Sequence, residues 1–283
     1  MPDETEPLLE LKDVNLKFGN VWALRNISFT LNPGETRIIF GSAGSGKTML
    51  LKAVIGLICV DSGDIKLFGK DVTSLQEQEL YNLRSRAGFL FQEGGLFDSL
   101  SIGENVEYPL LNRQAEDDQK DGALSGEEIE TRARKTLRFV ELEQSFDKFP
   151  SEVSGGMRRR VGIARAVVTE PPLVLYDSPT AGLDPITANI IMALIAKERA
   201  VRNSASLIVT HRYQDGELMA DFRYDPEHEE LTAVDVQAPP SESSDTRTKF
   251  IVMKEGEIVF LGTRQELESS DDEYVKRFIR HEG

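Results

Sequence analysis

One octapeptide, Gly41-Ser-Ala-Gly-Ser-Gly-Lys-Thr48, constrains what this chain can fold into more than any other stretch. It matches the pattern G-x-x-x-x-G-K-[ST] and lies between a short apolar run, Ile38–Phe40, and a segment of helical apolar spacing. The glycines let backbone N–H groups turn inward around phosphate oxygens, and a helix that starts at Lys47 adds its positive end. The alternative is an ordinary Gly/Ser-rich turn before a helix. With strand and helix on either side, we predict a nucleoside triphosphate site.

Composition limits the class of protein. At 283 residues, with 40% hydrophobic and 29% charged residues, the chain suits one large α/β domain or two smaller ones. The formal net charge of −15 argues against non-specific binding to nucleic acid, which needs a positive surface. The single cysteine, Cys59, cannot form an internal disulfide. We therefore expect a reducing compartment and a buried thiol between Ile58 and Val60.

Membrane-directed segments are not expected. The N-terminal stretch Met1–Pro7 is acidic and polar, unlike a signal peptide. No apolar run approaches the roughly 20 residues that a membrane span needs. If the protein works at a membrane, we expect another subunit to carry the spans.

The alternation of apolar and polar segments predicts an α/β core with two additions. Ser125 and Glu128 fit a capping box before a helical pattern, and we expect a helical subdomain over residues 94–160. Residues 222–249 are polar and predict a surface hairpin followed by a connector. We expect strands at 8–18, 27–31, 38–40, 65–68, 88–91, 173–177 and 206–210, a hairpin at 250–260, and helices at 47–57, 75–86, 129–140, 157–168 and 187–199.

Five further signals are each weak alone. Phe18, at a strand end, could stack on a purine or pack in the core. The Gln92 amide could reach a metal ion, and Ser154–Gly156 could bind an anion or cap a helix. Asp177 ends a buried strand, where a carboxylate faces the ligand crevice of an open α/β sheet and suits Mg²⁺. His211 also follows a buried strand, although a lone histidine is more often structural. The arginines 158–160 are expected to be mostly exposed.

The order of these signals along the chain resembles that of a known protein family. The nucleotide loop, Gln92, Ser154–Gly156, Asp177, Ala181-Gly-Leu-Asp184 and His211 follow one another as in the ATP-binding-cassette (ABC) ATPases. The resemblance covers essentially the whole chain, 1–283, as a single ABC domain. It implies a P-loop NTPase fold with a RecA-like core, an antiparallel β subdomain and an inserted helical subdomain. It also implies that two such domains enclose two ATP molecules, with Mg²⁺.

Residue roles come from the same resemblance. Phe18 would stack on adenine, Gln92 would sense the metal, and His211 would contact the γ-phosphate. Ser154, Gly155, Gly156 and Met157 would bind the ATP of the opposite protomer, and Asp184 would belong to a loop that crosses the dimer interface. Lys47 is expected at the β- and γ-phosphates. The ATP-binding residues would be Phe18, Gly41, Ser42, Ala43, Gly44, Ser45, Gly46, Lys47, Thr48 and Met49, and the Mg²⁺ ligands Thr48, Gln92 and Asp177.

A narrower resemblance points to lipid transport. The stretch Phe91–Val106, the following Tyr108-Pro-Leu, Met157 in the signature and the ending Tyr274–Ile279 resemble the ATPases of maintenance-of-lipid-asymmetry (Mla) and mammalian-cell-entry (Mce) transporters. The implied partners are a second ATP-binding subunit, transmembrane permease subunits, a lipid-binding Mce-domain protein and a small accessory subunit. The implied place is the cytoplasmic face of the inner membrane. Leu96 and Phe97 are candidate permease contacts, or else pack within the helical subdomain.

One position departs from the family. A glutamate normally follows the strand-end aspartate and polarises the attacking water, whereas this chain has Ser178. Since a hydroxyl cannot serve as that base near neutral pH, hydrolysis at the site formed by Gln92, Ser178 and His211 is expected to be impaired. Two other functions therefore stay open beside an active transport ATPase. One is an ATP-gated module with little turnover, and the other is a soluble ABC protein acting on ribosomes or DNA.

Overall fold

The computed structural model describes residues 6–92, 94–117, 124–225, 230–233 and 247–279. Within these residues the chain forms a central mixed sheet, a smaller antiparallel sheet and a group of helices inserted into the core. The connector predicted to follow the surface hairpin lies outside the described residues up to residue 246.

The central sheet is built from buried, β-branched-rich strands, in the order β12-β11-β3-β8-β7-β6. All neighbouring pairs are parallel except β11 and β12, which form a hairpin around Glu255-Gly256. The three innermost strands are buried along their full length, as near-continuous apolar runs predict for a sheet covered on both faces. The strands are β3 (Thr36–Gly41), β6 (Ala87–Leu90), β7 (Leu173–Asp177), β8 (Ala205–Val209), β11 (Thr248–Lys254) and β12 (Glu257–Gly262).

The second sheet is antiparallel, in the order β2-β1-β4-β5. Its strands are β1 (Leu9–Phe18), β2 (Val21–Leu31), β4 (Ser62–Leu67) and β5 (Lys70–Asp71). The alternating residues Ile27, Phe29 and Leu31 are buried and pack, with α1, on one face of the central sheet. The predicted one-sided strands are therefore confirmed, since alternation buries every second side chain.

Helices cover the central sheet and form the insertion. They are α1 (Lys47–Val54), α2 (Glu77–Arg84), α3 (Ile102–Asp117), α4 (Gly126–Phe139), α5 (Gly155–Val167), α6 (Pro185–Arg202), α7 (Tyr213–Asp221), α8 (Arg264–Glu268) and α9 (Glu273–Ile279). Helices α3, α4 and α5 follow β6 and precede β7. The predicted capping box at Ser125 and Glu128 starts α4, and Ile129, Ala133 and Leu137 are buried on one face of it. No helix of the described residues is long and apolar enough to span a membrane.

The polar insertion begins with a small hairpin. Strands β9 (Phe222–Asp225) and β10 (Glu230–Ala233) pair antiparallel, with Tyr224 opposite Leu231. This bears out the predicted surface hairpin. The Nζ atom of Lys197 on α6 lies 5.3 Å from the centroid of the Tyr224 ring, so the hairpin rests against α6.

Three expectations about burial are wrong. Cys59 is exposed, because Ile58 and Val60 on either side turn inward against the second sheet and the extended chain turns the intervening thiol outward. Leu57, assigned to the first helix, follows its end and is exposed. Arg159 is buried at 8% exposure, because backbone carbonyls on two other segments accept its guanidinium hydrogens.

Candidate functional site

The nucleotide loop joins β3 to α1, as predicted. Gly46 lies just before the helix with φ of 102°, and a Cβ there would lie 2.1 Å from the carbonyl oxygen of Ala23. Only glycine fits such a close approach in that left-handed conformation. The loop opens outward at Ser42, Ala43 and Gly44, whereas Gly41, Ser45 and Gly46 are buried and Lys47, Thr48 and Met49 are half-buried.

Lys47 lies folded over its own loop. Its Nζ donates to the carbonyl oxygens of Gly41 at 2.7 Å and Ser42 at 2.8 Å, and to Ser45 Oγ at 3.4 Å. Burial lowers the pKa of Lys47, and the nearby Asp177 carboxylate opposes that effect. A cation so held beside exposed backbone N–H groups suits an anionic ligand with several phosphate oxygens.

Thr48 and Asp177 come together from α1 and β7. Thr48 Oγ1 donates to Asp177 Oδ1 at 3.4 Å, and Asp177 is 4% exposed at the carboxyl end of its strand. A hydroxyl and a carboxylate supply hard oxygen ligands, and Mg²⁺ typically takes one or two such protein ligands with substrate phosphates. In the part of the chain described, no group of three or more His, Cys, Asp or Glu side chains could hold a metal alone. The site therefore fits a magnesium ion that is shared with phosphates.

Ser178 follows Asp177 in a left-handed backbone conformation, with φ of 52°. Its N–H donates to the Val209 carbonyl at 2.9 Å, and its Oγ donates to Asp177 Oδ1 at 3.3 Å. The hydrogen of the Ser178 hydroxyl is therefore directed to the Asp177 carboxylate. Ser178 lies at the predicted position but offers no basic group there.

Gln92 and His211 lie at the same edge of the sheet. Gln92 lies two residues after the end of β6 and His211 two residues after the end of β8, and both side chains are exposed. Because β3, β8, β7 and β6 are adjacent and parallel, their carboxyl ends present the nucleotide loop, His211, Asp177 and Gln92 in that spatial order. The structure brings these predicted residues to one edge, while their roles stay predictions.

Phe18 is 54% exposed at the end of β1. Two interpretations of Phe18 were open, stacking on a purine and packing in the core. This exposure excludes packing in the core. An exposed ring at a strand end can take a stacking partner such as a purine.

The predicted signature residues form the exposed start of α5. Ser154 is the N-cap, and its Oγ accepts from Met157 N at 3.2 Å. Gly155 is exposed, and a Cβ on it would meet nothing closer than 3.9 Å. Gly156 instead packs against α6, where an added Cβ would lie 2.8 Å from Thr187 Cγ2. The helix-cap reading of Ser154 is confirmed, and the anion-binding reading stays a prediction.

Asp184 has a structural role that the sequence did not suggest. It caps α6, accepting from the backbone N–H of Ile186 at 3.1 Å and of Thr187 at 3.0 Å, and from Thr187 Oγ1 at 2.6 Å. The hydrogen bonds from the Thr187 hydroxyl and backbone lower the pKa of Asp184. Thr187 therefore contacts both the cap of α6 and Gly156 of the signature.

Two buried side chains at this edge were missed by the sequence reading. The Oδ2 atom of Asp215 accepts from Thr180 Oγ1 at 2.5 Å and Thr210 Oγ1 at 2.6 Å, which joins the loop after β7 to the residue before His211. Arg159 donates to the Phe91 carbonyl at 3.3 Å and the Ala181 carbonyl at 3.2 Å. No local pattern signals either contact, since each joins segments that are distant in sequence.

A phosphate-binding loop, a strand-end carboxylate and polar residues at neighbouring strand ends define a P-loop nucleotide-binding domain. The model of the ABC transporter family matches residues 24–181, and the chain belongs to that family of ATP-binding proteins. This confirms the family resemblance. The chain is 37% identical over 209 residues to the methionine import ATP-binding protein MetN of Rhizobium etli, covering 74% of this chain and 55% of that protein. It thus spans about half the length of that relative.

Other relatives carry a phospholipid name. The intermembrane phospholipid transport system ATP-binding protein MlaF of Haemophilus influenzae is 34% identical over 217 residues, covering 77% of this chain and 79% of that protein. MlaF of Escherichia coli is 29% identical over 279 residues, covering 99% and 91%. The dimeric post-hydrolysis structure of the ATP-binding cassette MJ0796 bound to ADP and Pi superimposes with a TM-score of 0.72 at 30% identity, covering 90% of this chain and 98% of that one. The predicted fold class is confirmed.

Proposed function

We propose that this chain is the ATP-binding subunit of a bacterial ABC transporter that moves phospholipid or a related lipid. The observation that carries the proposal is the convergence of the nucleotide loop, Asp177 and the neighbouring strand ends at one edge of the sheet. Similarity to E. coli MlaF over nearly the whole chain supports the lipid assignment. Similarity to a methionine importer over three quarters of the chain makes an amino-acid cargo the main competitor.

ATP occupies the nucleotide loop in this proposal. Backbone N–H groups of the nucleotide loop after Ser42 surround the phosphates, Lys47 moves from its own loop carbonyls to the β- and γ-phosphates, and the Phe18 ring stacks on adenine. Thr48, Asp177 and Gln92 hold Mg²⁺, which would neutralise charge on the β- and γ-phosphate oxygens. His211 contacts the γ-phosphate from the neighbouring strand end.

A second copy of the chain completes the site. Ser154, Gly155, Gly156 and Met157 stand at the exposed start of α5, where free backbone N–H groups and the helix dipole favour a γ-phosphate held by another protomer. Asp184 lies at the start of α6, beside this surface. ATP therefore closes two protomers around two nucleotides, and loss of the γ-phosphate reopens them.

The permease docks in an apolar cavity of about 750 Å³ between α2, β6, α3 and α5. Its rim carries exposed aromatic rings, with Phe97 and Tyr108 centroids 4.7 Å apart and the guanidinium of Arg165 5.7 Å from the Phe97 ring. Leu96 is half-buried against the core, so Phe97 is the better contact of the two candidates. Phe91, which lines the cavity, directly precedes Gln92, so docking and nucleotide state can influence each other. A transmembrane partner of this kind holds the chain at the cytoplasmic face of the inner membrane, together with a lipid-binding Mce-domain protein and a small accessory subunit.

ATP binding is tested by Lys47→Ala, with Lys70→Ala on the exposed strand β5 as the matched control. We expect the affinity of the full chain for MgATP to fall about 100-fold in the first variant, since charge-assisted phosphate contacts are lost, and to stay unchanged in the second. Titration calorimetry measures both. Tight binding by Lys47→Ala would contradict the nucleotide-loop assignment.

The transporter assignment is tested by purifying the tagged chain from detergent-solubilised membranes. We expect permease subunits and a lipid-binding envelope protein to co-purify. Phe97→Ser should lower their recovery without changing ATP affinity, whereas Phe149→Ser, which removes an equally exposed ring elsewhere, should not. Recovery of an amino-acid-binding protein, or of ribosomes or DNA without a permease, would contradict lipid transport.

Ser178 favours a second candidate function, an ATP-gated module with little turnover. Its hydroxyl donates to Asp177 and cannot take a proton from the attacking water. On the assembled complex, Ser178→Glu should raise steady-state ATP turnover about 100-fold if the native site lacks its base. The matched control Ser178→Gln introduces a side chain of the same size at the same position without supplying that base. Equal turnover by wild type and Ser178→Glu would show that hydrolysis does not need a carboxylate here and would reject the gated module.

A further inference from the structure

The last helix of the described chain touches the nucleotide loop through one hydroxyl. Tyr274 on α9 lies 232 residues from Ser42, yet its Oη is 3.3 Å from the Ser42 backbone nitrogen and 3.2 Å from Ser42 Oγ. The same hydroxyl donates to the Met253 carbonyl at 3.1 Å.

The directions of these hydrogen bonds follow from the groups involved. The phenol has one proton, and the Met253 carbonyl can only accept, so the proton lies toward Met253. The Tyr274 oxygen therefore accepts from the backbone N–H of Ser42. Because Met253 on β11 is paired with Gly41 on β3, the hydroxyl bridges the end of one central strand to the first turn of the loop.

The tyrosine is held in place by its own helix. Val275 is fully buried, and Asp272 Oδ1 accepts from the Tyr274 N–H at 2.7 Å. The Phe278 ring stacks on Phe40 at 6.2 Å with 9° between planes, and it meets the Tyr274 ring edge-on at 5.3 Å. Phe40 is the penultimate residue of β3, directly before the loop. The helix therefore packs against the base of the nucleotide loop and presents the hydroxyl to its rim.

The contact extends to the phosphate-binding lysine. The carbonyl oxygen of Ser42 accepts from Lys47 Nζ, so the peptide on one side of Ser42 is fixed by Tyr274 and that on the other by Lys47. When Lys47 turns to a phosphate, the Tyr274 contact continues to fix the first turn. A loop already ordered loses less conformational entropy when a ligand binds.

We propose that Tyr274 is a positioning residue for nucleotide binding, which fixes the Ser42 end of the loop in the conformation that receives the phosphates. The inference rests on the proposed use of this loop for ATP. It adds that the segment after β12 is part of the nucleotide site of its own chain, acting through the loop rather than on the ligand.

The test is Tyr274→Phe in the full chain, which removes the hydroxyl and keeps the ring packing. We expect the affinities for MgATP and MgADP to fall together, by about three- to tenfold, the usual range for one net hydrogen bond. We also expect faster amide hydrogen exchange in the peptide that contains residues 41–48 without nucleotide. The melting temperature without nucleotide should stay within a degree or so of wild type, because the aromatic contacts remain.

Tyr224→Phe is the control, since it removes a hydroxyl from a half-buried ring on β9, outside the loop and the docking cavity. Unchanged affinity and unchanged exchange in Tyr274→Phe would overturn the inference and leave ATP binding intact. Tighter binding would overturn it too, since the contact would then restrain the loop against its ligand. Failure of the wild-type chain to bind MgATP would instead reject the nucleotide function on which the inference rests.

Discussion

The nucleotide loop and the start of α5, the two surfaces proposed to bind phosphate, are built to different degrees. The nucleotide loop and Asp177 are embedded: Lys47, Thr48 and Ser178 are bound to neighbouring groups, and Asp215 braces the adjacent loops from below. The start of α5 has only its cap, with Ser154 and Gly155 open to solvent. A helix N-terminus with free N–H groups leaves donors that water satisfies until a ligand arrives.

This difference indicates which half of the proposed site is already arranged within one chain and which half depends on a second protomer. Under the proposed function, the embedded half, formed by the nucleotide loop and Asp177, would hold a nucleotide within one chain, since its charges and hydrogen bonds are already arranged. The open half, at the start of α5, would acquire a ligand only when another protomer brings a phosphate. The comparison therefore predicts that substitutions can damage one half without the other.

The largest expected effect comes from Gly155→Asp. A Cβ fits at Gly155, and an acidic residue in the first turn of a helix is favourable to the fold. The carboxylate would nevertheless repel a γ-phosphate brought by a second protomer. We expect ATP-dependent dimerisation, measured by light scattering after size exclusion, to weaken by about 100-fold or more. Two like charges placed close together across an interface cost several kcal/mol.

Gly126→Asp provides the matched control for that substitution. Gly126 is the first residue of α4, and a Cβ there also meets nothing within 4 Å. The control should dimerise like wild type. Both variants should bind MgATP as monomers with wild-type affinity, and weakened monomer binding in Gly155→Asp would contradict the separation of the two halves.

Arg159→Met tests the connection between the halves and should have an intermediate effect. Arg159 belongs to the signature helix, and its guanidinium ties α5 to the Phe91 carbonyl before Gln92 and to the Ala181 carbonyl before Asp184. Methionine keeps most of the volume and leaves these carbonyls without those donors. We expect the free energy of unfolding to fall by about 2–3 kcal/mol, the usual range for hydrogen bonds from a charged group.

Urea denaturation measures that loss, with Arg132→Met on the exposed face of α4 as the control. The control should change the free energy of unfolding by less than about 0.5 kcal/mol. An equally small change in Arg159→Met would mean that the two halves are connected through other contacts.

Local chemistry explains what the sequence could predict. The nucleotide loop, the capping box of α4 and the strand that ends at Asp177 are each encoded within a few neighbouring residues, so their positions followed from pattern and spacing. The order of motifs then indicated the family and the fold. The expectation of impaired hydrolysis came from the family resemblance, which places a glutamate at position 178, and from the weak basicity of a hydroxyl there.

What escaped prediction depends on contacts between distant segments. The tract of arginines 158–160 has the composition of an exposed face, and only the fold brings the Phe91 and Ala181 carbonyls to Arg159. Tyr274 reaches Ser42 because β11 pairs with β3, a pairing that no local pattern specifies. Cys59 was misassigned because apolar neighbours on an extended chain bury their own side chains and turn the residue between them outward.

The smallest expected effect concerns the pH dependence of the embedded half. Burial raises the pKa of Asp215, while hydrogen bonds from Thr180 and Thr210, and the charges of Arg212 and His211, oppose that rise. A carboxyl whose folded pKa lies above its unfolded value retains its proton longer in the folded state. The folded state therefore binds more protons in that window, and this group's contribution to stability falls as pH rises through it.

Asp215→Asn removes the titration while its amide oxygen can still accept from both threonines. Relative to wild type, we expect the free energy of unfolding of Asp215→Asn to rise as pH increases from about 4, near the unfolded pKa of aspartate, towards neutrality. Urea denaturation at a series of pH values measures the difference between the two proteins, which cancels titrations common to both. An opposite slope would mean that the charges of Arg212 and His211 outweigh burial and hold the carboxylate ionised, so that Asp215 braces the embedded half as an ion rather than as a buried acid.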